Sequence, residues 1–134
     1  MITPCRATFL LVAGGALVAA GEPPLPDALA AGWKGKPACE LLTQSADHRM
    51  LRCTFAPGAG HERHYHPANF GYALSGGTMR ITDAKGTRVV QIATGSSFTS
   101  PGTAWHVAEN IGTTTVIYLI VEELPGKDRQ TTAQ

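Results

Sequence analysis

The sequence has no surplus of either charge: eleven Lys and Arg stand against ten Asp and Glu, and the basic residues never form a run. Such a chain has no electrostatic footprint for nucleic acid or an anionic membrane surface. It also lacks the composition of a disordered chain, being 43% hydrophobic and only 16% charged. Long apolar runs are missing as well. Residues 7–20 come nearest, but they are broken by glycine and shorter than the roughly 20 residues a membrane-spanning helix needs. No segment after residue 32 supports a helix of ordinary length. The 134 residues suit one domain.

What the first residues do have is an order. One basic residue, Arg6, precedes a short apolar stretch that ends in the small residues Ala19, Ala20 and Gly21. A secretory signal peptide has this layout, so residues 1–21 are expected to be a leader cleaved near Ala20 or Gly21. The alternative is an uncleaved anchor or a buried N-terminal helix. The expected location is periplasmic or secreted, with no membrane attachment after cleavage. Export gives meaning to the scarce cysteines. Only Cys39 and Cys53 remain in the mature chain, an even number in an oxidising compartment. They lie seven residues on either side of Ala46, and the polar stretch 44–48 reads as a hairpin turn. A hairpin centred there sets them opposite one another, at a spacing a disulfide can bridge. Two reduced cysteines on neighbouring strands are the alternative.

Fifteen glycines and nine prolines imply many turns and short elements, hence an all-β architecture. Residues 22–37 read as an extended lead-in or linker, with Trp33 as an anchor. The domain spans 38–124 and a polar tail occupies 125–134. Within the domain the apolar residues follow the strand period of two: Leu51, Cys53 and Phe55; Phe70, Tyr72 and Leu74; Met79 and Ile81. Val89–Ala93, Ser97–Phe98 and Trp105–Ile111 give further strands, and the unbroken run Val116–Val121 reads as a buried one. Short strands between glycine turns predict a sandwich or barrel.

Three of the five histidines fall within residues 61–66, just ahead of the strand around Phe70. On a strand, residues two apart share a face, so His64 and His66 point the same way and can grip one ion. His106 is the candidate third ligand and shares its face with Asn110. By the same parity Glu109 points outward. His61 has the opposite parity to the pair and reads as a rim or surface histidine, although the glycines at 58 and 60 permit a bulge. Glu62 and Arg63 read as a solvated or rim pair, and His48 as a turn residue.

These residues resemble the two motifs of the cupin family. Gly58 is followed by five residues and His64-Tyr65-His66, then by an apolar strand closing at Gly76. Gly95 is followed by five residues and Pro101, with His106 and Asn110 in their places. The likeness covers residues 39–123. It implies a small antiparallel double-stranded β-helix, a jelly-roll barrel with His64, His66 and His106 as metal ligands inside it. It also implies a homodimer paired through its sheets. Two departures stand out. The family glutamate is absent, with Asn69 or Phe70 in its place, and Thr103 stands where the second motif has glycine. Asn69 could supply an amide oxygen to the ion, or hydrogen-bond a ligand or a water.

Three neutral imidazoles leave a divalent ion its full charge and open positions, an arrangement suited to catalysis or ligand binding. The expected cofactor is one divalent transition metal: zinc, manganese, iron, nickel or copper all accept imidazole. Export favours zinc, manganese or copper over iron(II), which is hard to keep reduced outside the cytoplasm. Phe70, Tyr72, Met79 and Trp105 are candidates to line the pocket. No Ser, Cys or Lys stands near the motif with a base beside it, and Glu62 and Glu109 are expected to face out. Two functions follow. One is a metal-dependent dioxygenase, isomerase or lyase acting on a small oxygen-rich molecule. The other is a non-enzymatic protein that holds a metal or small ligand.

Overall fold

The computed structural model describes residues 23–126. The leader expected over residues 1–21 lies outside them, as does most of the tail expected over 125–134.

Eleven strands and no helix occur among the described residues. A two-residue pair, β1 (Gly32–Trp33) and β2 (Lys36–Pro37), precedes the barrel. Five strands, β3 (Cys39–Gln44), β4 (His48–Phe55), β11 (Val116–Glu123), β6 (Asn69–Ser75) and β9 (Ser97–Ser100), form one sheet in that spatial order. Four more, β5 (Gly60–His66), β10 (Thr103–Asn110), β7 (Gly77–Asp83) and β8 (Gly86–Ile92), form the other. Every strand pair within the sheets is antiparallel. The all-β double-stranded helix read from the sequence is the fold. Leu51, Cys53 and Phe55 alternate inward on β4 and meet Met79, Val116 and Ile120 in the buried core.

The hairpin centred on Ala46 is present. Ser45 N donates to His48 O at 2.8 Å across the turn, and Cys39 pairs with Cys53. The two cysteines are joined as a disulfide, 14 residues apart in sequence. Closing a loop of that length stabilises a fold by about 3 kcal/mol, mainly by constraining the unfolded chain. Replacing both cysteines with alanine is expected to lower the unfolding free energy in urea by about that amount. An unchanged midpoint would mean the bond adds nothing.

The lead-in does not run free. Asp27 forms an isolated bridge with Tyr65 of β5, Tyr65 N donates to Pro26 O at 3.1 Å, and Ala28 is fully buried. Trp33 packs against β5: a Cβ on Gly60 would collide with Ala108 O and meet the Trp33 ring at 2.9 Å, so glycine is required there.

Strand β6 has the opposite facing to the one its large residues suggest. Asn69, Gly71 and Ala73 point in, while Phe70 is 55% exposed and Tyr72 and Leu74 also face solvent. Phe98 of β9 explains the choice, because its ring fills the space where a Cβ of Gly71 would sit. The small residues face inward to make room for a neighbour's aromatic ring. The large ones lie outside, with Phe70 and Tyr72 in register with Val121 and Leu119 of β11.

Candidate metal centre

His64 and His66 project from β5 into the barrel, and His106 projects from β10, where it pairs directly with His64. Their Nε2 atoms form a triangle: 2.9 Å between His64 and His66, 3.2 Å between His66 and His106, and 2.9 Å between His106 and His64. At metal–nitrogen distances of 2.0–2.1 Å, ligand nitrogens on one ion stand about 2.9 Å apart at right angles and about 3.3 Å apart at the tetrahedral angle. The triangle falls within that span. These three residues are the cluster of possible metal ligands among the described residues.

The hydrogen bonds behind two of the rings fix what the front atoms carry. His64 Nδ1 lies 2.5 Å from the Glu62 carbonyl oxygen, and His66 Nδ1 lies 2.6 Å from Glu122 Oε1. Both partners only accept, so each Nδ1 holds the proton and each Nε2 presents a lone pair. Burial, followed by the positive charge His61 would add, pushes the His64 pKa down to about 2. Burial, followed by the charge of His66, pushes His106 down to about 4. Protonating the cluster is therefore disfavoured, and a cation would satisfy the converging lone pairs. The residues present fit a divalent transition ion.

Glu122 is the residue the sequence reading missed. It is 0% exposed and holds His66 through Oε1, while Arg49 Nε and a terminal guanidinium nitrogen reach its Oε2 at 2.7 and 2.6 Å. Arg49 in turn pairs with Asp27 at 3.0 Å. Outer carboxylates of this kind set the tautomer and raise the basicity of metal-binding histidines. The signal was there to use: Val116, Tyr118, Ile120 and Glu122 share one parity on β11.

His61 corrects a second expectation. It is 2% exposed rather than at the rim. Three residue steps on β5, from His61 to His64, oppose two on β10, from Ala108 to His106. This β-bulge returns His61 to the inner face. Its ring stacks on His64 with centroids 3.6 Å apart, and its Nε2 lies 2.9 Å from Ala28 O. Burial, then the nearby His66, lowers its pKa to about 4.

A cavity of about 480 Å³ opens beside the histidines. Met79 lines it as expected, but Phe70 and Tyr72, on the outer face of β6, do not. Nor does Trp105: as the neighbour of inward-facing His106 it lies on the opposite face of β10, and the Arg63 guanidinium lies 4.3 Å from its ring centroid. Phe98, Tyr118, Ile81 and Ile92 supply the apolar wall instead. Asn69 lines the cavity and donates to Pro67 O at 2.8 Å, leaving its oxygen as the atom to offer a guest. Glu109 faces out and pairs with Arg80. Exposed Glu62 accepts from Lys34 N at 2.7 Å. Asn110 is structural, its amide bridging Phe55 O and Thr114 O at 2.8 and 2.7 Å.

The strands close a double-stranded β-helix around a three-histidine cluster suited to a metal ion, and comparison with known proteins finds the same fold. The family model described as cupin domain matches residues 51–122, more than half of the chain, and the chain belongs to that family. A cupin domain from Bordetella pertussis Tohama I superposes with a TM-score of 0.61 at 18% identity, over 70% of this chain and 95% of that one. A double-stranded β-helix protein from Klebsiella pneumoniae gives 0.55 at 24% identity, over 70% and 76%. A cupin superfamily protein from Desulfitobacterium hafniense gives 0.52 at 16%, over 65% and 76%. At these identities the likeness is one of fold. No curated protein matches the chain.

Proposed function

We propose that this cupin is an exported metal-dependent enzyme of the dioxygenase, isomerase or lyase type, acting on a small oxygen-rich molecule. One observation carries the reading: Nε2 lone pairs of His64 and His66 converge, together with His106 Nε2, on a point beside a cavity of ligand size. A divalent ion bound there supplies a Lewis acid with open positions, able to polarise a carbonyl or to engage dioxygen. The chain's own part is to hold three neutral imidazoles, to keep His66 oriented through Glu122, and to exclude water with an apolar wall. The disulfide supports export, since such bonds persist in oxidising compartments.

A second reading is a protein that only binds its ligand. It is favoured by the acids around the cavity, because Glu122 is committed to Arg49 and Asp83 to Arg88. Neither is a ready proton donor.

Elemental analysis of untagged protein, beside a His64→Ala/His106→Ala variant, tests the metal claim. One ion per chain, lost in the variant, is expected. Failure of the wild type to load with any divalent transition ion would end the claim and leave the binding reading. Oxygen uptake and product analysis with the loaded protein then separate enzyme from carrier. We also place a homodimer through the outer face carrying Phe70, Tyr72 and Leu119. Sedimentation equilibrium should read about twice the 14.1 kDa of the chain, less any leader removed; a single-chain mass refutes the pairing.

A further inference from the structure

The cavity holds one cation that the metal centre does not use. Arg88 lines it from β8, the edge strand of the four-stranded sheet. Ala108, Ile81 and Arg88 are cross-strand partners on successive strands β10, β7 and β8, and all three line the cavity. Arg88 thus sits two strands from the strand that carries His106. Strands are spaced about 4.8 Å apart, so the two backbones stand about 10 Å apart across the sheet. One guanidinium nitrogen pairs with Asp83 at 2.7 Å, and the side chain is 52% exposed. The fork's remaining donors are left for a guest.

Charge counting sharpens this. Arg49 offsets Glu122, and Arg88 and Asp83 offset each other. A divalent ion would leave the cavity with a positive charge that only Asp27, on the far side of Arg49, begins to balance. Beyond these charged and imidazole groups the lining is mainly apolar, its neutral polar members being Asn69, Gln91, Thr103, the hydroxyls of Ser96, Ser97 and Ser100, and the Tyr118 phenol.

We propose that Arg88 anchors the carboxylate of a small organic acid with an apolar body, whose other end faces the three-histidine centre. This rests on the reading of the cavity as a substrate site and names the class of molecule it takes: an alkyl or aryl carboxylic acid rather than a neutral sugar or alcohol. A competing role for Arg88 is structural. Inward charges on edge strands discourage sheet-to-sheet pairing, and the Asp83 pair clasps the β7–β8 hairpin. A clasp would affect stability without distinguishing an acid from its amide.

Isothermal titration of the full chain, zinc-loaded and metal-free, with phenylacetate and hexanoate against phenylacetamide and hexanamide separates the two. Charge-assisted hydrogen bonds are worth enough to give the acids a preference of about tenfold or more. In metal-free protein Arg88→Gln is expected to abolish that preference. In zinc-loaded protein it should weaken acid binding by about tenfold, with zinc content unchanged. Arg88→Lys should recover part of the loss. Equal binding of acid and amide by metal-free wild type, no acid binding at all, or unchanged acid binding by Arg88→Gln would each overturn the proposal. If the protein takes up no metal, the metal reading fails. The metal-free arm still decides the role of Arg88.

Discussion

Glu122→Gln is expected to lower the stability of the metal-free protein by about 3–5 kcal/mol and to weaken metal binding about 10–100-fold. Both effects come from one buried carboxylate. Glu122 accepts from Arg49 on one oxygen and from His66 on the other, and the glutamate side chain is fully buried. Removing its charge leaves the Arg49 guanidinium, itself nearly buried, with Asp27 alone. The amide also has two donors of its own, one of which faces either Arg49 or His66 Nδ1–H. Facing His66, it forces the ring to shed that proton and to place it on Nε2, where the ion binds. Urea unfolding measures the first effect, and competition with a chromophoric chelator measures the second. A shifted visible spectrum of the cobalt-loaded variant would show the altered histidine directly, a change that looser packing elsewhere would not produce. If stability and affinity both match the wild type, Glu122 plays neither part.

Acid should unfold the metal-free protein steeply. His61 and His106 hold folded pKa values near 4 and His64 near 2, each lowered first by burial, against 6.5 for the free side chain. Between about pH 6.5 and pH 4 the unfolded chain therefore binds more protons than the folded one. Stability falls as pH drops through this window, by about 1.4 kcal/mol per pH unit for each histidine at the steepest. Three histidines acting together give a slope near 4 kcal/mol per unit. Thermal unfolding at pH 7, 6 and 5 with a chelator present reads it. A flat profile would mean that the imidazoles are solvated or charged in the folded state. Saturating zinc should raise the melting temperature at pH 7, since only the folded chain gathers all three imidazoles.

Parity carried the sequence reading as far as parity applies. It put His64 and His66 on one face and turned Glu109 outward, because alternation is regular over those positions, while hairpin symmetry set Cys39 against Cys53 and the family resemblance supplied His106. It failed where the ladder is irregular. The bulge between His61 and His64 costs β5 one residue of phase, so a histidine read as exposed lies stacked in the site. Trp105 was misjudged against parity, since the neighbour of inward-facing His106 lies on the opposite face of β10. On β6 both faces are plausible from residue size alone. Phe98, contributed by a strand more than twenty residues away, decides that Gly71 and Ala73 go inward. Glu122 was overlooked for a different reason. A carboxylate at the end of an apolar run reads as the strand reaching solvent, and its partner Arg49 lies 73 residues earlier.

One turn of the chain, around Asp27 and Ala28, reaches the centre along two routes. Ala28 bonds His61, which stacks on His64, and Asp27 holds Arg49, which holds Glu122 and through it His66. The match to the family model begins only at residue 51, beyond Asp27, Ala28 and Arg49 alike. The portion of this protein that its relatives make recognisable is thus smaller than the portion that makes the site work. A shortened version starting at Ala38 would keep every ligand and all nine barrel strands, yet lose the outer contact of each route, Asp27 on Arg49 and Ala28 on His61.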